Sequence, residues 1–264
     1  MDTAIKQTIM QKLQATEEKY EVKIPLSIES GSRGWGFAAT NADYDCRFLY
    51  VHKKDWYLTV REKKDFIEYA VDEVFDIKGY DISRALKYIM KSQATIYEWL
   101  SSNVIYIRDE AITSKLQNLA ADFFNPISIS YHYLNLAKKM FEEIDGADKA
   151  KVKKYFYILR PIANLNYIRQ YRKMPYMEYD RTLAEIDLSP EINGAIEELK
   201  ELKMTSKEHD LIPKYKALTG YFADEIEKFD NCLKDMRHAR NRNYDVVDDA
   251  FRSIIEDVWE MGGK

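Results

Sequence analysis

Three of the chain's nine glycines, Gly31, Gly34 and Gly36, fall within six residues. Glycine takes backbone conformations closed to other residues, so such a cluster marks a tight turn or a close approach to a ligand. Strand-like segments flank it. Pro25 ends the preceding helical pattern, and residues 25–29 then alternate Leu26 and Ile28 against Ser27 and Glu29. Residues 43–52 are dense in aromatic and β-branched side chains. Both segments read as strands, and a chain that turns this sharply between two strands is committed to a sheet in its N-terminal region.

The rest of the chain sorts around that sheet. Residues 3–20 place Ile5, Ile9, Leu13 and Ala15 among charges and glutamines, the period of an amphipathic helix. Further strands are expected at 66–70 and 74–77, then a helix over 83–100 capped by Asp81 or Ser83. Beyond residue 110 the strand signal fades. Segments 112–124, 128–143, 148–172, 189–203, 214–242 and 246–261 all carry helical periodicity, broken at Pro126, Gly146, Pro175, Pro213 and the closing glycines. The expected fold class is α+β: an N-terminal domain over 1–115 with a small mixed sheet, then an all-helical domain over 116–264.

Composition narrows the partners. A net charge of −4 provides no global basic field for gripping nucleic acid, so any such binding needs a local patch. Cys46 and Cys232 lie far apart without metal-ligand spacing and read as two reduced thiols in a cytoplasmic protein. No segment approaches the ~20 apolar residues of a membrane span, so no membrane partner is expected. His52, His132, His209 and His238 share no zinc-like spacing.

The chemistry-bearing run is 31–45. Gly31-Ser32 after a strand opens a turn whose free N–H groups and Ser32 hydroxyl suit triphosphate oxygens. Asp43 and Asp45 are two apart on a predicted strand, so both carboxylates project from one face while Tyr44 points to the other. Adjacent carboxylates repel unless a cation sits between them, and oxygen-only ligands suit Mg2+ or Mn2+. Two such ions promote in-line transfer of a phosphoryl-type group. Alone, Asp-X-Asp is most often a solvated strand edge and Gly-Ser a turn; their combination between strands carries the functional reading.

The segment resembles the Gly-Ser…Asp-X-Asp signature of the DNA polymerase β-like nucleotidyltransferases. More narrowly, GSRGWGF, ADYDCRF, DWYL at 55–58, DIKGYDISRALKYIMKS at 76–92, EWL at 98–100, YHY at 131–133, AKK at 137–139 and KKYFYILRP at 153–161 are similar to the YcgL-like nucleotidyltransferases associated with RNA repair and RNA ligases. The likeness covers roughly residues 25–180. Tyr80 and Gln93-Ala94 depart from residues common in that family, which touches packing or a cap and not the carboxylates.

The resemblance implies an NTP substrate, Mg2+ or Mn2+, and a third carboxylate on a neighbouring strand. Asp76, flanked by apolar residues, ranks first, because an acid there is costly unless it binds something. Asp81 and Glu68 are the alternative third carboxylates, with a simple helix cap and an exposed strand residue as their competing readings. Asp43, Asp45 and Asp76 are thus the expected catalytic and metal residues, with Gly31 and Ser32 on the triphosphate. Arg33 and Arg47 are candidates for phosphate contact or charge neutralisation. Lys153, Lys154, Tyr157 and Arg160 form a basic-aromatic run suited to a nucleotide, or else a solvated face over an aromatic core stripe. Lys138, Lys139 and the basic segment 236–242 carry the same two readings, and Trp35 and Phe37 read as loop packing. The expected reaction moves an NMP from NTP to an acceptor, with an RNA end suggested by the family's associations. Nucleotidylation of a protein or small molecule, and a non-catalytic nucleotide or RNA sensor, are the rivals.

Overall fold

A computed structural model describes residues 3–38, 42–69, 74–205, 210–234, 236 and 243–260. Helix α1 (Thr3–Tyr20) leads into β1 (Val22–Glu29), the single-turn α2 (Gly31–Gly34) and β2 (Tyr44–His52). The one-turn α3 (Lys54–Tyr57) precedes β3 (Phe66–Tyr69) and β4 (Phe75–Asp81). Then come α4 (Ile82–Met90), α5 (Ala94–Ser101), β5 (Ile105–Arg108) and α6 (Glu110–Phe123). The remaining elements are α7 (Pro126–Glu142), β6 (Lys149–Lys151), α8 (Val152–Tyr171), α9 (Tyr179–Ala184), α10 (Pro190–Thr205), β7 (Leu211–Pro213), α11 (Lys216–Lys234) and α12 (Tyr244–Glu260). The α+β expectation holds, with a mixed five-stranded sheet.

That sheet runs β3-β4-β2-β1-β5, with β2 parallel to β4 and every other pair antiparallel. Alternation along β2 sends Cys46, Phe48 and Tyr50 to one face, where they join Ile77 of β4, Ile24 of β1 and Ile9 and Leu13 of α1 in a closed core. Gly79 is required there, since a Cβ on it would lie 2.2 Å from the Phe48 ring. On the other face Leu49 and Val51 are buried too, and α4, α6 and α12 pack near β1 and β2. Toward the start of β2, that same face carries Asp45 and Arg47. The β1 ladder shifts register between Lys23 and Leu26, around Pro25, which has no N–H to give to a rung.

The chain divides into two compact units, Met1–Phe124 with Arg240–Lys264, and Asn125–Ala239. This differs from the expected division at 115/116. The change of unit follows α6, whose buried Ile112, Leu116 and Phe123 belong to the first unit, and Asn125 starts the second by accepting the N–H groups of Ile127 and Ser128 as the cap of α7. Helix α12 is also grouped with the first unit: Lys115 bonds Ser253 and Asp257, and Trp259 Nε1 donates to the His52 carbonyl. The second unit is helical apart from the small β6–β7 ladder. Its centre is α8, whose residues 158–168 are all buried. Among the described residues no helix is long and apolar enough to cross a membrane.

Candidate active site

Strand β1 ends at Glu29, and the chain then turns at once into α2. Gly31 makes the turn with φ +58, a conformation that favours glycine. The Ser30 carbonyl accepts the Gly34 N–H at 3.1 Å and the Gly31 carbonyl accepts that of Trp35 at 2.9 Å. A Cβ on Gly31 would lie 1.8 Å from Asp45 Oδ2, so the glycine backbone is set directly against that carboxylate. Ser32 stands half-buried in the same turn.

Parallel pairing places Asp45 opposite Asp76 in register, so both carboxylates stand on one face of adjacent strands. Arg47 bridges them. Its Nη2 lies 2.7 Å from Asp45 Oδ1 and 2.8 Å from Asp76 Oδ2, and its Nη1 donates to the carbonyls of Cys46 and Asp76. The three side chains are 16–21% exposed, a half-desolvated setting in which charge pairing counts for more than at an open surface. Asp76 Oδ1 is buried and makes no hydrogen bond among the described residues, with Lys78 Nζ at 3.3 Å. Asp43 lies immediately before β2. Burial pushes the Asp45 carboxyl above its usual range; Arg47 pulls it down, and the charges of Asp43 and Asp76 push it up again.

The other proposed third carboxylates face different tasks. Asp81 caps α4, accepting the Ser83 N–H at 2.8 Å, and takes the Tyr57 hydroxyl at 2.9 Å. Glu68 is 57% exposed and lies 3.9 Å from Lys78. Arg33 is turned inward: Nε and Nη2 donate to the carbonyls of Asp43 and Ala42, and the guanidinium lies over the Tyr44 ring at 4.0 Å. It anchors the segment that presents Asp43. Trp35 and Phe37 pack together with ring centroids 5.6 Å apart.

Lys154, Tyr157 and Arg160 all lie on α8 in the second unit. Lys154 pairs with Glu143, Tyr157 is half-buried and Arg160 is buried at 3% exposure. Lys138 pairs with Asp230 at 2.6 Å, and His132 sits edge-on to Tyr133. Of the basic segment 236–242 only Met236 is among the described residues, and His209 also lies outside them. Cys46 is a buried packing residue whose thiol burial pushes up to about 12, and Cys232 is a free thiol at the surface.

Glu29 escaped the sequence reading. It is fully buried, accepting the Asp45 N–H at 2.9 Å on Oε1 and the Tyr106 hydroxyl on Oε2. Burial pushes its carboxyl up to about 7 against the lowering effect of those two hydrogen bonds. Alternation sets Glu29 with Ser27 as the polar side of the strand, and the structure buries both completely.

The donors fit a hard divalent cation in kind: carboxylate oxygens, one of them buried and lacking a hydrogen bond, beside a turn too close for any side chain. Among the described residues no three His, Cys, Asp or Glu side chains converge on a common metal position. The Arg47 guanidinium takes one oxygen from each of Asp45 and Asp76.

The sequence model of a family described as "RNA repair pathway DNA polymerase beta family" matches residues 5–253. The protein YcgL of Bacillus subtilis (strain 168), itself uncharacterized, is 32% identical over 259 residues, spanning 98% of this chain and all of that one. A crystal structure of a nucleotidyltransferase-like protein from Exiguobacterium sibiricum 255-15 aligns over 86% of this chain and 74% of its own, at 11% identity and a TM-score of 0.31. That structural likeness is too slight to carry an argument.

Proposed function

The chain belongs to the RNA repair pathway DNA polymerase beta family, and on that footing we propose that it transfers a nucleoside monophosphate from an NTP to an acceptor hydroxyl, with an RNA end as acceptor. One observation carries the reading: Gly31 is pressed against Asp45, which is itself in register with Asp76. A turn with no room for a side chain, backed onto paired acids, is what a triphosphate needs if its α-phosphorus is to sit beside the carboxylates.

In this reading the Gly31–Ser32 turn receives the triphosphate oxygens and orients the nucleotide. Asp43, Asp45 and Asp76 would hold Mg2+ or Mn2+, and such a cation would supply neutralisation of the phosphate charge. The acceptor oxygen forms a bond to the α-phosphorus as the bond to the bridging oxygen of pyrophosphate breaks. The hydroxyl proton would pass to Asp76 Oδ1, which carries no hydrogen bond among the described residues and has the Lys78 ammonium 3.3 Å away. Arg47 balances the negative charge that gathers on the carboxylates, and Arg33 holds the Asp43 segment in place. Positioning and charge neutralisation supply most of the rate in such reactions.

The test is label transfer from radiolabelled NTPs to defined RNA ends with Mg2+ or Mn2+. Wild type should label RNA, and Asp45→Asn and Asp76→Asn should each lower the rate by about 10²-fold or more while the proteins stay folded. Equal labelling by wild type and Asp45→Asn would end the proposal. Label appearing on a protein or small molecule with RNA untouched would move the acceptor and keep the transfer chemistry.

A further inference from the structure

The antiparallel ladder between β1 and β2 is interrupted at the place where the site begins. Ser30 N–H donates to the Asp45 carbonyl at 2.8 Å, as the next rung requires. The reciprocal rung would run from Asp45 N–H to the Ser30 carbonyl. That carbonyl is instead engaged by Gly34 N–H at the start of α2. Turning the chain at Gly31 therefore strips Asp45 of its backbone acceptor. A peptide N–H left without a partner this close to the core costs about 1–3 kcal/mol and leaves its residue free to rotate.

Glu29 fills the gap. Opposite Cys46 in the ladder, it lies on the face that α1 covers, away from the Asp45 and Asp76 carboxylates. Its side chain reaches round so that Oε1 accepts the Asp45 N–H at 2.9 Å, and the Tyr106 hydroxyl of β5 holds Oε2. The Glu29 backbone is fixed as well: its N–H donates to the Val104 carbonyl at 2.9 Å, and its carbonyl accepts the Ser102 hydroxyl at 3.2 Å. The carboxylate thus stands in a rigid frame and substitutes for the carbonyl that the turn removed.

We propose that Glu29 is a positioning residue, which replaces the missing ladder rung at Asp45 and so aims the Asp45 carboxylate at Asp76 and the Gly31 turn. The catalytic half of this inference rests on the transferase reading above. Glu29 touches no substrate; it acts through the peptide of Asp45. A displacement of about 1 Å at a reacting group is enough to cost on the order of 10²-fold in rate, and that is the scale expected here.

Three variants separate positioning from simple core support. Glu29→Met fills nearly the same volume without an acceptor. Glu29→Gln keeps an amide oxygen for the Asp45 N–H. Tyr106→Phe removes the outer support and leaves the inner hydrogen bond. Glu29→Met should lower kcat about 10²-fold with the NTP KM within about threefold, and weaken Mn2+ binding measured by calorimetry about tenfold. Glu29→Gln should keep both within about fivefold of wild type, and Tyr106→Phe should fall between. Amide hydrogen exchange gives a readout independent of activity: Glu29→Met should speed exchange at Asp45 while Phe48 and Tyr50 stay protected.

Unchanged exchange at Asp45, or Glu29→Gln failing as badly as Glu29→Met, overturns the inference. So does a Glu29→Met protein with wild-type kcat, whatever its melting temperature. A wild type that labels no acceptor while its Asp45 amide responds to Glu29→Met sinks the transferase reading and leaves the hold of Glu29 on Asp45 standing. A wild type that labels RNA, with Glu29→Met within threefold, sinks the Glu29 inference alone.

Discussion

Gly31 is where two demands meet in one residue. Its φ of +58 disfavours any side chain, and a Cβ would fall 1.8 Å from Asp45 Oδ2. Gly31→Ala should therefore act twice, straining the turn by about 1–3 kcal/mol and pushing the Asp45 carboxylate off its position. We expect a modest fall in melting temperature and a far larger loss of nucleotidyl transfer, about 10²-fold. Equal fractional losses of stability and activity in thermal melts and label-transfer assays would argue that the turn serves folding alone. The local part of this site was open to sequence reasoning. Gly31, Asp43 and Asp45 are close in the chain, and strand alternation assigns a face without any knowledge of the fold. Asp76 was half legible, as an acid among Phe75 and Ile77 that needed a reason to be there. Which strand would carry it beside Asp45 was not, because register across β2 and β4 is set by the whole sheet. Glu29 was hidden for the same reason: its meaning depends on Tyr106, 77 residues away.

At the level of elements, the expected helix over 83–100 is two helices. Helix α4 ends at Met90, with Ser92 at φ +48, Ser92 N–H donating to the Ile89 carbonyl at 2.9 Å and Gln93 N–H to the Tyr88 carbonyl at 2.9 Å. That is a Schellman closure with serine in the position glycine usually takes, so no glycine marks it in the sequence. The strain is offset by the buried Ser92 hydroxyl, which donates to the Phe123 carbonyl at 2.6 Å and ties the break to α6. Ser92→Ala keeps the positive φ and loses that bond, and should cost about 1–3 kcal/mol. Ser92→Gly loses the bond too but relieves the backbone, recovering about 0.5–1 kcal/mol. Urea titration should therefore rank wild type above Ser92→Gly above Ser92→Ala; the reverse order of the two variants would show that φ at 92 carries no strain. β5 was missed for a related reason. Four residues, Ile105–Arg108, give little room for a periodicity, and they lie between two helical segments just ahead of residue 110, where the strand signal fades.

For the molecule as a whole, the sequence reading separated an α+β part from a helical part but assigned every helix after residue 116 to the second. Periodicity says that a helix has an apolar face and is silent on which core that face meets. Helix α12 has a pronounced one, with Val247, Ile254 and Ile255 at 5%, 0% and 7% exposure, and it packs against α4, α6, β1 and β2 of the first unit. The ring of Phe251 meets Tyr57, Trp259 Nε1 donates to the His52 carbonyl, and Asp257 pairs with Lys115 of α6. Each fully buried aliphatic side chain contributes about 1.5–3 kcal/mol, and a domain's net stability is only about 5–15 kcal/mol. Ending the chain after residue 239 should therefore destabilise the first unit by a large share of its total while leaving the second unit's core, built on α7, α8, α10 and α11, untouched. Hydrogen exchange followed residue by residue is the measurement. Amides of β1 and β2 should lose protection by orders of magnitude in the shortened chain, and those of α8 should keep theirs. Loss of protection confined to α8, with the sheet unaffected, would place the last helix with the wrong core. Nucleotidyl transfer should fall in step with the sheet, since Asp45, Asp76 and the Gly31 turn are held in register by the strands that α12 helps to cover.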